Sequence, residues 1–235
     1  MRDECADECA DEGEDECADE CALIVFAKAP IAGYAKTRLA RFMGAEAAAR
    51  LSSRMLIETL THAIDAGIGP VELCCTPDAT HPEFERVALA CGIGLGIGIG
   101  IDLTLQGDGD LGARMERALT RGLRAHRSVL LIGTDAPALD AACLRDAAAA
   151  LQTHAAVFVP AVDGGYVLVG LTVGLNPAMP ALFEGIAWGS SQVMAQTRER
   201  LRAIGIDAAE LPAVHDVDEP EDLVHVPKAW LALLP

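Results

Sequence analysis

From Leu23 onward, short apolar runs rich in branched side chains alternate with longer segments of helical period. The runs are Leu23–Ala27, Val71–Thr76, Ile101–Gln106, Val129–Gly133, Val157–Pro160 and Tyr166–Leu171. Each is short, bounded by Gly or Pro, and reads as a buried strand. Between them, Gly44–Ala66 repeats Leu56, Leu60 and Ile64 at every fourth position, and Pro82–Cys91, Ala113–His126, Asp140–Gln152 and Val193–Ile204 follow suit. Parallel strands need long, usually helical, crossovers. The alternation therefore predicts an α/β domain with a mainly parallel central sheet and helices on both faces. In such sheets ligands lie beyond the carboxyl ends of the strands, so the loops after the strands are where chemistry is expected.

The first of these loops lies within Ala22–Ala40, ALIVFAKAPIAGYAKTRLA. Pro30 and Gly33 punctuate it, and Lys28, Lys36 and Arg38 run through it. A strand feeding a Gly-bearing, cation-bearing loop suits phosphate; a solvated turn is the plainer reading. A Walker loop is excluded, because Gly33 and Lys36 are not adjacent. After the run Val129–Gly133 comes Thr134-Asp135-Ala136-Pro137, which puts Asp135 at a strand's carboxyl end. A turn or capping role before Pro is the alternative.

Gly107, Gly109 and Gly112 in GDGDLG match the dinucleotide fingerprint, so an NAD-dependent oxidoreductase enters as an alternative. Asp108 and Asp110 would set two negative charges against a pyrophosphate, which counts against it. Arg114 falls in the first turn of the following helix. Asp163-Gly164-Gly165 reads as a hairpin turn whose second glycine permits close approach. Trp188 precedes Ser190 and Ser191, either of which would cap the next helix. In His215-Asp216-Val217-Asp218-Glu219-Pro220-Glu221-Asp222, Asp218 suits a helix start or a metal-binding carboxylate.

The chain has 235 residues and a formal net charge of −17. Residues 1–22 are a DECA-type tetrapeptide repeat and read as a disordered acidic leader, with a single domain over 23–235. A soft-metal site on Cys5, Cys9, Cys17 and Cys21, or an acidic interaction arm, are the functional alternatives for the leader. Without a basic face, non-specific nucleic-acid or anionic-membrane binding is not expected. No apolar run reaches the length of a membrane span and no secretory signal pattern is present, so a cytoplasmic location is expected. Cys74 and Cys75 read as small buried hydrophobes. The alternating glycines Gly92–Gly100 lack fingerprint spacing and read as a loosely packed approach to the third strand.

Six motifs in order, KAPIAGYAKTRLA, QGDGDLGARM, GTDAPAL, VPAVDGGYVLVGL, FEGIAWGSSQV and DVDEPEDL, resemble the bacterial radical-SAM/selenodomain-associated transferase type one family, itself similar to phospholactate and molybdenum-cofactor guanylyltransferases. The resemblance implies a GT-A-like nucleotide-diphospho-sugar transferase fold. It implies a metal-dependent glycosyltransferase or nucleotidyltransferase with a nucleoside triphosphate or nucleotide-sugar donor and a small acceptor. By the same resemblance Asp135 and Asp218 would bind Mg²⁺ or Mn²⁺, with Asp216 competing for the second place. Lys36 and Arg38 would clamp phosphate and, with Asp135, carry catalysis. Lys28, Gly33, Gly107, Asp108, Asp110 and Arg114 would lie along the nucleotide, and Asp163, Gly164, Gly165 and Trp188 would face the acceptor. A non-catalytic nucleotide-binding or interaction protein is a further alternative.

Overall fold

The computed structural model describes residues 21–92, 94–95 and 100–231. The leader up to residue 20, and residues 93 and 96–99 of the glycine run, lie outside the described residues. The elements in order are β1 (Cys21–Lys28), α1 (Thr37–Met43), α2 (Ala45–Ala66), β2 (Val71–Thr76), α3 (Pro82–Ala90), β3 (Gly94–Leu95), β4 (Gly100–Leu105), α4 (Leu111–Gly122), β5 (Ser128–Ile132), α5 (Ala141–Ala150), β6 (Ala156–Pro160), β7 (Tyr166–Thr172), α6 (Met179–Phe183), α7 (Val193–Ala203), β8 (Ala208–Glu210) and α8 (Lys228–Leu231). Short 3₁₀ turns cover Val173–Ala178 and Pro220–His225. Strand β1 opens two residues before the apolar run that announces it. The segment after Pro220 is 3₁₀ where the sequence predicts a helix. Its start is set by Glu219 and Asp222, which form a capping box, rather than by Asp218.

The sheet order is β3-β4-β2-β1-β5-β7-β6-β8. All neighbours pair in parallel except those of β7, which runs antiparallel to both β5 and β6. The β6–β7 link through Ala161–Gly165 is the hairpin that Asp163-Gly164 signals. The sheet is thus mixed but mostly parallel, with helices on both faces, which is the GT-A-like arrangement.

Alternation along β1 explains the two faces. Leu23, Val25 and Ala27 pack with Leu56 and Leu60 of α2, Phe84 of α3 and Leu144 of α5. Ala22, Ile24 and Phe26 pack with Met115 and Leu119 of α4, Leu182 of α6 and Met194 of α7. Cys74 and Cys75 of β2 are fully buried on opposite faces. Burial pushes the Cys75 thiol up to about 12, so it packs as a neutral side chain. A third, smaller core joins Leu39 of α1, Leu51 and Met55 of α2, and Val217. Burying Leu39 and Val217 contributes about 1.5–3 kcal/mol each, and this is what ties the first loop to the far end of the chain.

Candidate active site

Strand β1 lies between β2, reached by one crossover, and β5, reached later on the other side. The sheet order reverses there, and the loops leaving β1 and β5 diverge to open a crevice. The structure has a cleft of about 670 Å³ at this point, lined by residues that include Lys28, Lys36, Arg38, Gln106, Arg114, Asp135, Asp163, Gly165, Trp188, Asp216 and Asp218.

Lys36 is the centre of it. Its Nζ lies 2.6 Å from Asp135 Oδ1 and 3.2 Å from Asp218 Oδ1, and donates to the Val217 carbonyl at 2.6 Å. Its side chain is 6% exposed, against 47% for Asp135 and 45% for Asp218. Burial alone would lower the Lys36 pKa, but the charges of Asp135 and then Asp218 outweigh it and hold the ammonium above the ordinary lysine range. Lys36 is also the one non-glycine residue with positive φ among the described residues, at φ 47° and ψ 48°. A left-handed lysine persists only where its surroundings over-determine it. Here Leu39 anchors the following turn in the third core while the ammonium is held by two carboxylates. Arg38, on the outside of α1, reaches Glu219 at 3.2 Å and Asp218 at 3.9 Å.

The carboxylates arrive from two directions. Asp135 follows β5. Asp216 and Asp218 lie on a segment that crosses the strand ends beside β6, where Val214 N donates to Pro160 O and Val162 N to Val214 O. Val217 N then donates to Asp135 O at 2.8 Å. Alternation does the rest: Val217 is fully buried in the third core, while Asp216 and Asp218 on either side line the cleft. Burial, then the charge of Asp163, raises the Asp216 carboxyl to about 6.

Not every residue marked from sequence reaches the cleft. Gly33, Gly107, Asp108, Asp110 and Gly164 are not in its lining. Asp110 caps α4, accepting from Ala113 N at 2.9 Å. The Asp108 carbonyl accepts from Arg117 Nη2 at 2.9 Å. Gly107, at φ 74°, turns the chain over the Arg117 guanidinium, and a side chain on Gly112 would collide with Trp188. Gly107 and Gly112 of GDGDLG thus have local packing causes of their own. Gly164, at φ 99°, presses against the Ser191 backbone, where a Cβ would fall 2.2 Å from the carbonyl oxygen. Asp163 Oδ1 accepts from Gly165 N at 2.8 Å. Lys28 sits over the Tyr34 ring at 4.1 Å. Thr76, Gln106, Tyr34 and Tyr166 line the cleft without having been marked from the sequence. Thr76 and Gln106 stand at the carboxyl ends of β2 and β4, where the rule about strand ends would have found them, whereas Tyr166 opens the antiparallel β7 at its amino end. Tyr166 and Trp188 form an aromatic wall, their rings edge to face at 6.3 Å.

A bacterial protein family matches residues 59–190, more than half of the chain, from α2 to just past Trp188. The chain belongs to that family, described as "Uncharacterized protein conserved in bacteria (DUF2064)". A comparison with curated proteins finds no match. Among solved structures, a protein of Desulfovibrio desulfuricans G20, provisionally assigned as a nucleotide-diphospho-sugar transferase, is 29% identical, with 88% of this chain and 85% of that one covered at a TM-score of 0.75. The 4-diphosphocytidyl-2C-methyl-D-erythritol synthase of Anaerococcus prevotii DSM 20548 is 10% identical, covering 91% of this chain and 99% of its own at a TM-score of 0.59. Rv0371c of Mycobacterium tuberculosis H37Rv, in complex with manganese, is 15% identical, with 92% and 99% covered at a TM-score of 0.51.

The fold is therefore that of nucleotide-diphospho-sugar transferases and nucleotidyltransferases. These findings correct the resemblance to radical-SAM/selenodomain-associated transferases. The matching family is a different one, and the structural relatives are nucleotidyltransferase-like. The physical reason is that this topology places ligand loops at the same strand ends in each of its members. Six short motifs therefore track the fold more than any one family. No helix among the described residues is long and apolar enough to cross a membrane.

Proposed function

We propose that the chain is a transferase that binds a nucleoside triphosphate or nucleotide-sugar donor in this cleft. It would pass a nucleotidyl or glycosyl group to a small acceptor with the help of a divalent cation. The observation that carries this reading is the left-handed, buried Lys36 braced between Asp135 and Asp218 at the point where the sheet order reverses. Backbone strain and a buried ammonium are retained where a ligand uses them.

Lys36 and Arg38 supply positive charge for the phosphates, Arg38 with a planar fork suited to phosphate oxygens. Asp135 and Asp218 would hold Mg²⁺ or Mn²⁺, with Asp216 the alternative to Asp218. The donor set fits such an ion: carboxylate oxygens only, each about half exposed to the cleft. Among the described residues no three His, Cys, Asp or Glu converge on one point. Two protein ligands leave the remaining positions to phosphate and water, which is how Mg²⁺ is commonly held. The ion, when bound, supplies charge neutralisation at the phosphate oxygens.

Asp163, Gly165, Tyr166 and Trp188 also line the cleft, and an acceptor would lie against them. An acceptor oxygen would attack the α-phosphorus and release pyrophosphate, or attack the anomeric carbon and release a nucleoside diphosphate. In either case the new negative charge forms on a phosphate beside Lys36 and Arg38. A thermal-shift screen of nucleoside triphosphates and nucleotide sugars, with and without Mg²⁺, tests this. A cation-dependent rise in melting temperature for one of them is expected. A melting curve unmoved by all of them overturns the reading.

A further inference from the structure

Gln106 follows β4 at the end of the cleft away from Asp135. Its side chain amide is fixed by the sheet: Nε2 donates to Cys74 O at 3.1 Å and to Ala27 O at 3.4 Å. Both partners are carbonyls, which can only accept, so the amide cannot be turned over without setting oxygen against oxygen. Its backbone N donates to Cys75 O at 2.9 Å, and its carbonyl accepts from Arg117 Nη1 at 2.5 Å. Every polar group of the residue is engaged within the fold except Oε1. The residue is 6% exposed and lines the cleft. An acceptor held in one orientation, with no partner in the fold and open to the cleft, is placed to receive a donor from a ligand.

Register places it. Lys28 lies opposite Thr76 across β1 and β2, and Leu105 opposite Cys75 across β2 and β4. Gln106, Thr76 and Lys28 therefore stand side by side at the strand ends, with Asp135 beyond β5 continuing the row. The Gln106 amide reaches back across β2 as far as the Ala27 carbonyl of β1, so Oε1 is carried in over the middle of this row. Phe26, Leu111 and Met115 give the Gln106 end apolar walls.

We propose that Gln106 Oε1 accepts a hydrogen bond from the exocyclic amino group of a nucleobase. The cleft then prefers cytidine, adenosine or guanosine nucleotides to uridine nucleotides. This rests on the cleft being a nucleotide site. Uracil offers an N–H only between two carbonyl oxygens, which Oε1 would meet with repulsion.

The test compares bases with and without the amino group on the full chain by calorimetry. The pairs are ATP with purine-riboside triphosphate, CTP with 2-pyrimidinone-riboside triphosphate, and GTP with inosine triphosphate. Loss of the amino group from the preferred base is expected to weaken binding about 10-fold. Gln106→Met, which keeps the length and lacks the acceptor, should bind both members of that pair equally. The ratio within the pair is read, so a general loss of affinity in the variant does not mimic the result. If that variant fails to fold, the wild-type pairs decide alone. Equal binding within every wild-type pair, or tightest binding of UTP, overturns the inference and leaves the nucleotide reading standing. No binding of any nucleotide overturns both.

Discussion

The two ends of the cleft are built differently. At the β5 end, three chain segments bring Lys36, Asp135 and Asp218 together through charge, and the carboxylates stay half exposed. At the β4 end, Gln106 carries no charge and is fixed by hydrogen bonds to backbone carbonyls of neighbouring strands. The half-exposed carboxylates can meet a second cation from the cleft side while they still face Lys36. An amide locked by two carbonyls cannot move without leaving its own N–H groups unpaired. The charged end is thus suited to a ligand whose charge changes during reaction, and the neutral end to one whose shape must be right.

The contrast can be broken at four places. The largest effect is expected from Asp135→Asn, which removes one of the two carboxylates at the charged end. Turnover with the preferred donor should fall on the order of 10²–10³-fold, and the melting temperature should fall as well, because the buried Lys36 ammonium loses the larger of its two compensating charges. Undiminished turnover would mean that the charge there is structural only. Next comes Gly112→Ala, whose new methyl would lie 2.6 Å from Trp188 Nε1. Overpacking of this kind costs about 1–3 kcal/mol, readable by urea denaturation. A neutral result would show that the α4–Trp188 contact yields easily.

Arg117→Ala comes third, since it frees the Gln106 and Asp108 carbonyls. A loss of about 1 kcal/mol in discrimination between nucleotides is expected, with pyrophosphate affinity unchanged; equal weakening of both would mean that the two ends are not separable. The smallest effect on stability is expected from Arg38→Ala, whose side chain is 60% exposed. Stability should change by less than about 1 kcal/mol, yet triphosphates should weaken more than monophosphates in the same titration. A loss independent of phosphate number would remove Arg38 from the charged end.

The same contrast explains what could be read from the sequence. Alternating apolar runs gave the strands, because buried parallel strands read as continuous hydrophobic segments. Lys36, Arg38 and Asp135 could be marked as charges in loops after predicted strands, while their roles, and that of Asp218, came only from the order of motifs resembling a transferase family. Gln106 did not stand out, because its meaning lies in the carbonyls of Ala27 and Cys74, which only the folded sheet brings to it. Gly107, Asp110 and Gly112 were conspicuous for the wrong reason: a cap, a turn over Arg117 and a contact with Trp188 happen to spell a fingerprint. The left-handed Lys36 could not be foreseen either, since positive φ at a lysine follows from tertiary packing and not from local propensity.

Lys36 and the Val217 carbonyl it holds are 181 residues apart. Chains emerge from the ribosome amino end first, and domains assemble as they emerge. The sheet from β1 to β5 can gather while the crossing segment is still unsynthesised. Through that interval Lys36 has neither Val217 nor Asp218 to hold it, and Leu39 has no Val217 to pack against. The chain therefore completes the Lys36 cluster late in its own synthesis, after the sheet that carries it.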